Sequence, residues 1–233
     1  MKNLLLNTPP LTVYQQMALD EVVVKLRPAD VTLRFYNWAY GPAVTYGYAQ
    51  CYKEVQKTLS AACFEGICTR RPTGGGLVFH TDDLTFSLVF EHAGKPTEIY
   101  EKLHHCIYAQ LARLGQKNLS LSGKVAKEVY QPSRHHTASA CFINPVENDV
   151  LNADGQKILG GALRRFGTTV LYQGSLQVKD GRYDPRYKQA LTNAVRSFLG
   201  VDLCLRAAPA QMLFTAFELA QNQYENLLWK EKF

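Results

Sequence analysis

A chain of 233 residues holds one large domain or two small ones, and with 46% apolar residues it can bury a sizeable core, which excludes global disorder. Its formal net charge of +6 is a moderate excess, without long Lys/Arg blocks or an aromatic–basic stacking array. A nucleic-acid role is therefore disfavoured, and the basic surface suits an acidic protein partner or an anionic small molecule. Cys51, Cys63, Cys68, Cys106, Cys141 and Cys204 are scattered without a disulfide or zinc framework, the start MKNLLLNTPP has too short an apolar core for a secretory signal, and no stretch is long enough to span a membrane. A soluble cytoplasmic protein with free thiols is expected.

The spacing of Val13, Met17, Val22 and Val24 predicts a helix over Leu11–Lys25, with Thr8 as its cap and Pro9–Pro10 just before it. Val31–Tyr36 and Ala43–Tyr48 read as strands flanking the Gly41–Pro42 turn, and Tyr52–Ala62 as a short helix. Ile67–Arg70 is a strand that leads into RRPTGGGLVFH at 70–80, with Leu77–Phe79 and Leu84–Phe90 as the next strands. Pro96–Leu114 is a helix, with Ile99, Leu103, Ile107 and Leu111 four apart. Gln116–Ser139 is polar and irregular, with one strand near Val125–Tyr130. Asp149–Asn152 and Lys157–Ala162 form a hairpin through Asp154–Gly155. Thr168–Tyr172 and Ser175–Val178 read as another strand pair, and Asp184–Leu199 and Gln211–Leu228 as terminal helices. The expected architecture is a single mixed α/β domain over residues 1–233.

Chemistry concentrates at three places. The first is the run Arg70, Arg71, Gly74, Gly75, Gly76, His80. Glycines expose backbone that can cradle an anion or a carbonyl oxygen, and arginines add fixed charge; the bland reading is a tight turn. The second is Lys157, beside Gly160 and Gly161 on one strand. Simple alternation puts Lys157, Leu159 and Gly161 on one face and Ile158, Gly160 and Ala162 on the other. Its ammonium can polarise a carbonyl, or it is a solvated edge lysine. The third is Cys141 in SACFINP, a loop thiol that is either a nucleophile or a small buried residue. The other five cysteines read as packed. His80 reads equally as a satisfied boundary histidine, the pairs His104–His105 and His135–His136 as solvated, and Arg164–Arg165 as either a solvated turn or a hold on an acidic partner.

These residues, in this order, resemble the lipoate–biotin protein ligase superfamily, in the branch that holds lipoate–protein ligases and octanoyltransferases. QQMALDE at 15–21 is similar to the opening helix of that family. LRFYNWAYGPAVTYGYAQ at 33–50 is similar to its Arg-aromatic-Trp, Pro-Ala-Val, Gly-Tyr pattern. RRPTGGGLVFH at 70–80 resembles its arginine–glycine–histidine signature, DGQKILGGA at 154–162 its lysine hairpin, and YQGSLQV at 172–178 the strand that follows. The resemblance implies an α+β fold of mixed, largely antiparallel sheets with flanking helices, like biotin ligases and class II tRNA synthetase cores, with no accessory C-terminal domain. It implies acylation of a lysine on a lipoyl-carrier domain of a 2-oxoacid dehydrogenase or a glycine cleavage H protein. Arg34, Arg70, Arg71, Gly74, Gly75, Gly76, Val78, His80, Gly160, Gly161 and Ala162 would bind the octanoyl or lipoyl substrate, with Cys141 and Lys157 catalytic. Gly161 departs from the small polar residue often found there. Cys141 matches the cysteine of one octanoyltransferase group, which takes the acyl group from acyl carrier protein and needs no cofactor. The alternatives are an ATP- and Mg2+-dependent lipoate ligase, an amidotransferase between carrier proteins, and a non-catalytic lipoyl- or biotinyl-binding module.

Overall fold

The structure, a computed structural model, describes residues 3–116, 118–123 and 145–233. In chain order its elements are β1 (Leu4–Asn7), α1 (Val13–Leu26), β2 (Val31–Phe35), β3 (Ala43–Tyr46), α2 (Tyr52–Ala61), β4 (Ile67–Arg70), β5 (Val78–His80), β6 (Leu84–Glu91) and α3 (Pro96–Arg113). They continue with β7 (Ser120–Leu121), β8 (Val150–Leu151), β9 (Lys157–Phe166), β10 (Thr169–Leu176), α4 (Pro185–Leu199), β11 (Cys204–Ala207), α5 (Ala210–Leu219), a π-helical turn (Ala220–Tyr224) and α6 (Leu227–Lys230). Among the described residues no helix is long and apolar enough to cross a membrane.

Eight strands form one sheet in the order β11-β1-β2-β6-β10-β9-β8-β7, and three form a second in the order β4-β3-β5. The large sheet is antiparallel from β2 to β7; only β1 is parallel to both of its neighbours. Alternation along β6 and β10 divides its faces. Phe86, Leu88, Phe90, Val170 and Tyr172 point into the main core with Ile99, Leu103, Leu191 and Val195 of α3 and α4. Val89 and Leu171 point the other way, against α1 and α5. The small sheet closes a third core with Val55 and Leu59 of α2.

Several expectations change. Helix α1 is capped by Thr12, not Thr8: the Thr12 hydroxyl accepts the Gln15 N–H at 3.3 Å, and the Gln15 side chain accepts the Thr12 N–H at 3.0 Å. The pair expected at 168–178 is one strand, β10, running through Gly174. Glycine there is no break, because Phe86 occupies the space its Cβ would take. Strands β1 and β11 have no counterpart in the sequence reading; they are four-residue strands joined in register by backbone pairing. The last helix is broken at Asn226, whose side chain accepts the Leu228 N–H at 2.9 Å and starts α6. His104, read as solvated, is fully buried, and Cys63, read as packed, is exposed at positive φ. The strand expected near 125–130, His135–His136 and Cys141 lie outside the described residues.

Candidate functional site

Strand β4 delivers Arg70 and Arg71 into the glycine loop. Gly75 has φ +87°, a conformation glycine adopts readily, and its carbonyl lies so close to Gly47 that a Cβ there would overlap it. The Arg71 guanidinium fills the concave side of the loop. It donates to the carbonyls of Gly74 (3.0 Å), Gly76 (2.8 Å) and Thr45 (3.2 Å). The loop therefore turns carbonyls onto an arginine, whereas the sequence suggested N–H groups around an anion. Arg70 points elsewhere. It donates to the carbonyls of Trp229 (3.0 Å), Lys230 (2.7 Å) and Gln50 (2.8 Å), and so binds the C-terminal segment to the base of the loop.

Beyond the loop, β5 splits by alternation. Leu77 and Phe79 pack with the small core, while Val78 and His80 face the large sheet. Of Leu77–Phe79, Val78 lines the space between the sheets. That space is a narrow cavity in which about 30 Å³ is open to the centre of a water-sized sphere. Its walls are Thr45, Arg71, Val78 and His80 on one side, Thr85, Gly160, Gly161, Ala162, Gln173, Gly174 and Ser175 on the other, and Met17 and Tyr36 beside α1.

His80 is buried and tightly held. Its Nε2 is 2.9 Å from the Thr45 hydroxyl, its Nδ1 is 2.8 Å from Asp83 Oδ2, and the Trp38 ring packs against it at 4.8 Å. Thr85 and Ser175 each donate to the same carboxylate oxygen at 2.7 Å. Burial works to raise the Asp83 pKa, but His80 and these donors outweigh it and hold the carboxyl below its ordinary value.

Lys157 opens β9 at an irregularity: Leu151 pairs with Lys157 and Val150 with Leu159, so β9 carries one extra residue. The simple alternation therefore fails. The Lys157 stem lies across Gly160, where a Cβ would collide with it. Its ammonium is 2.8 Å from Asp149, and both side chains are nearly inaccessible. Asp149 also accepts the Val146 N–H at 2.6 Å and the Tyr100 hydroxyl. The Tyr100 oxygen in turn accepts the Gly161 N–H at 3.3 Å. Tyr100 stacks on His104 at 3.8 Å. His104 Nδ1 lies 2.9 Å from the Asn148 carbonyl, which can only accept, so that nitrogen carries the proton and Nε2 accepts the Tyr172 hydroxyl at 2.7 Å. Burial pushes the His104 pKa down to about 3, which keeps the ring neutral.

Arg34 does not reach the cavity. It is fully buried, bound to Asp20 and to Gln16. Asp20 also accepts Ser87 at 2.6 Å and Gln173 at 2.7 Å, and Gln173 accepts the Thr73 hydroxyl at 2.6 Å. Arg34 thus connects to the loop through Asp20 and Gln173. Of the expected site residues, Arg71, Val78, His80, Gly160, Gly161 and Ala162 meet at one cavity, with Lys157 beside them. Gly74 and Gly76 supply the carbonyls that hold Arg71. Asp20, Asp83, Tyr100, Asp149 and Gln173 were missed; each is a single polar residue with at least one partner far along the chain.

The model of the lipoyl protein ligase A/B catalytic domain matches residues 12–193. This chain belongs to that family. Curated relatives of this lipoyl protein ligase A/B-type chain include octanoyltransferase LipM of Moorella thermoacetica, 32% identical over 182 residues, which cover 74% of this chain and 63% of the relative. LipM of Symbiobacterium thermophilum is 33% identical over 169 residues, 70% of this chain and 60% of the relative. The chain spans about three fifths of the length of these relatives. A T. acidophilum protein solved with bound lipoic acid superposes with a TM-score of 0.75 at 20% identity, over 100% of this chain and 99% of that one. A lipoate-protein ligase A solved with ATP gives 0.74 at 21% identity, over 99% and 98%. These likenesses establish the lipoate ligase fold.

Proposed function

We propose that this chain transfers an octanoyl group from acyl carrier protein to a specific lysine of a lipoyl-carrier domain, through a thioester on Cys141. One observation carries the reading: a cavity between two sheets, floored by Gly160, Gly161 and Ala162, is bordered by a buried lysine folded over its first glycine. A slot with Met17, Val78 and Ala162 in its walls suits an aliphatic chain. Each buried CH2 contributes ~0.8 kcal/mol, so an eight-carbon tail supplies several kcal/mol. The curated relatives named octanoyltransferase favour this chemistry over adenylation.

In this reading the Cys141 thiolate adds to the donor thioester carbonyl, and Lys157 stabilises the oxyanion that develops. The carrier thiolate leaves, and octanoyl remains on Cys141. The neutral amine of the target lysine then adds to that thioester. The Cys141 thiolate leaves, the amine gives up a proton, and an amide remains. The octanoyl and carrier-protein substrates are the only reactants this scheme requires.

Incubation with octanoyl-acyl carrier protein, followed by peptide mass spectrometry, tests it. The expected result is an octanoyl adduct on Cys141 that a lipoyl domain discharges and that Cys141→Ala abolishes. Lipoate-dependent release of pyrophosphate from ATP, without a thiol adduct, would replace the reading with a ligase. An adduct formed only from an octanoylated carrier domain would make it an amidotransferase.

A further inference from the structure

We propose that Asp149 and Tyr100 are positioning residues that hold the Lys157 ammonium and the Gly161 backbone in one fixed arrangement at the edge of the cavity. The inference rests on the reading of Lys157 as the cation beside the reacting carbonyl. The chain of contacts is continuous: Lys157 to Asp149 at 2.8 Å, Asp149 to the Tyr100 hydroxyl, and the Tyr100 oxygen to the Gly161 N–H at 3.3 Å. It joins Lys157 to Gly161, one of the glycines that floor the slot, across the irregular start of β9.

A buried ion pair is a poor source of net stability, because desolvation of both charges offsets their attraction. Its value here is direction. A lysine has four rotatable side-chain bonds, and Gly160 leaves open the space its stem crosses. Without an anchor the ammonium could turn toward the groove formed by Asn152, Gly155, Gln156 and Gln177, which Lys157 also borders. Asp149 is itself immobilised by the Val146 N–H and by Tyr100. Tyr100 is fixed by its stack on His104. Burial, with Tyr172 and Asp149 nearby, raises the Tyr100 pKa well above its ordinary value, so the hydroxyl stays a donor. Asp149 and Tyr100 are thus each held by a further group.

Steady-state octanoyl transfer by Asp149→Asn and Tyr100→Phe tests the clamp. Asp149→Asn should lower kcat roughly 10- to 100-fold with KM for the donor little changed, since misplacement by about an ångström costs on that order. Its pH–rate profile should be displaced, because a charge beside Lys157 is gone. Tyr100→Phe should lower kcat about 10-fold and leave the profile in place. Ile107→Val, a core change on the same helix, should alter neither. A second readout needs no turnover: modification of Lys157 by acetic anhydride, mapped by mass spectrometry, should change several-fold in Asp149→Asn. If Asp149→Asn does not fold, Tyr100→Phe carries the test. Wild-type kcat and pH profile in the folded variants, or losses that merely follow the melting temperature, would overturn the clamp. Should the wild-type enzyme transfer no octanoyl group, the functional reading falls, and unchanged Lys157 modification in Asp149→Asn would remove the clamp separately.

Discussion

Gly160 and Gly161 stand side by side for different reasons. A Cβ at Gly160 would enter the space of the Lys157 stem, and one at Gly161 would strike the Tyr172 hydroxyl. The first obstacle is the far end of a flexible side chain, and the second belongs to a buried ring tied to His104. Gly160→Ala should therefore fold, with a cost of about 1 kcal/mol, and displace the ammonium from Asp149. The proposed octanoyl transfer should fall about 10-fold, a loss larger than the change in urea midpoint accounts for. Retained activity would mean that the lysine stem has another route over the strand. The departure at Gly161 from the small polar residue expected there also finds its cause: the place a serine side chain would take is filled by Tyr172.

At the scale of elements, the glycine loop is braced from outside the site. The carbonyls of Trp229 and Lys230 take the Arg70 guanidinium, and Trp229 Nε1 donates back to the Arg70 carbonyl at 3.0 Å. The π-helical turn brings Tyr224 to Thr69, whose hydroxyl donates to its carbonyl at 3.0 Å. Trp229→Ala should cost about 2 kcal/mol, less than a fully buried Trp, because this indole is only half-buried. Amide hydrogen exchange in residues 71–77 should quicken with it. Exchange that quickens only in the C-terminal segment would show that the brace does not reach the loop. The arginine pair of the signature therefore divides: Arg71 shapes the loop from within, and Arg70 anchors it from behind.

Across the whole molecule, buried titratable groups set the response to acid. His104 is pushed down to about 3 from an ordinary 6.5, so the unfolded chain takes up a proton there that the folded one refuses. Its neutral form costs nothing above pH 6.5, and stability drains away as pH falls from 6.5 toward 3. Asp83, held below its ordinary value, acts in the same direction at lower pH. Urea unfolding at pH 7 and pH 5 should differ by roughly 2 kcal/mol from His104 alone, and His104→Gln should flatten that slope. An unchanged slope in the variant would place the titration elsewhere. Elements with strong periodicity were legible in the sequence: β2, α2, α3 and α4 lie within a residue of expectation, because their apolar spacing records which face is buried, whereas β9 runs to Phe166, four residues beyond its expected end. Strands β1 and β11 were not, since short strands paired through the backbone carry no side-chain pattern. The chain order alone determined the family, the mixed fold and the glycine, histidine and lysine motifs, all of which are local runs of residues. Only the tertiary structure decided that Arg34 and Arg70 turn away from the cavity and that Asp149 meets Lys157. Those outcomes depend on partners in other elements and on the irregular start of β9, and simple alternation along one strand encodes neither.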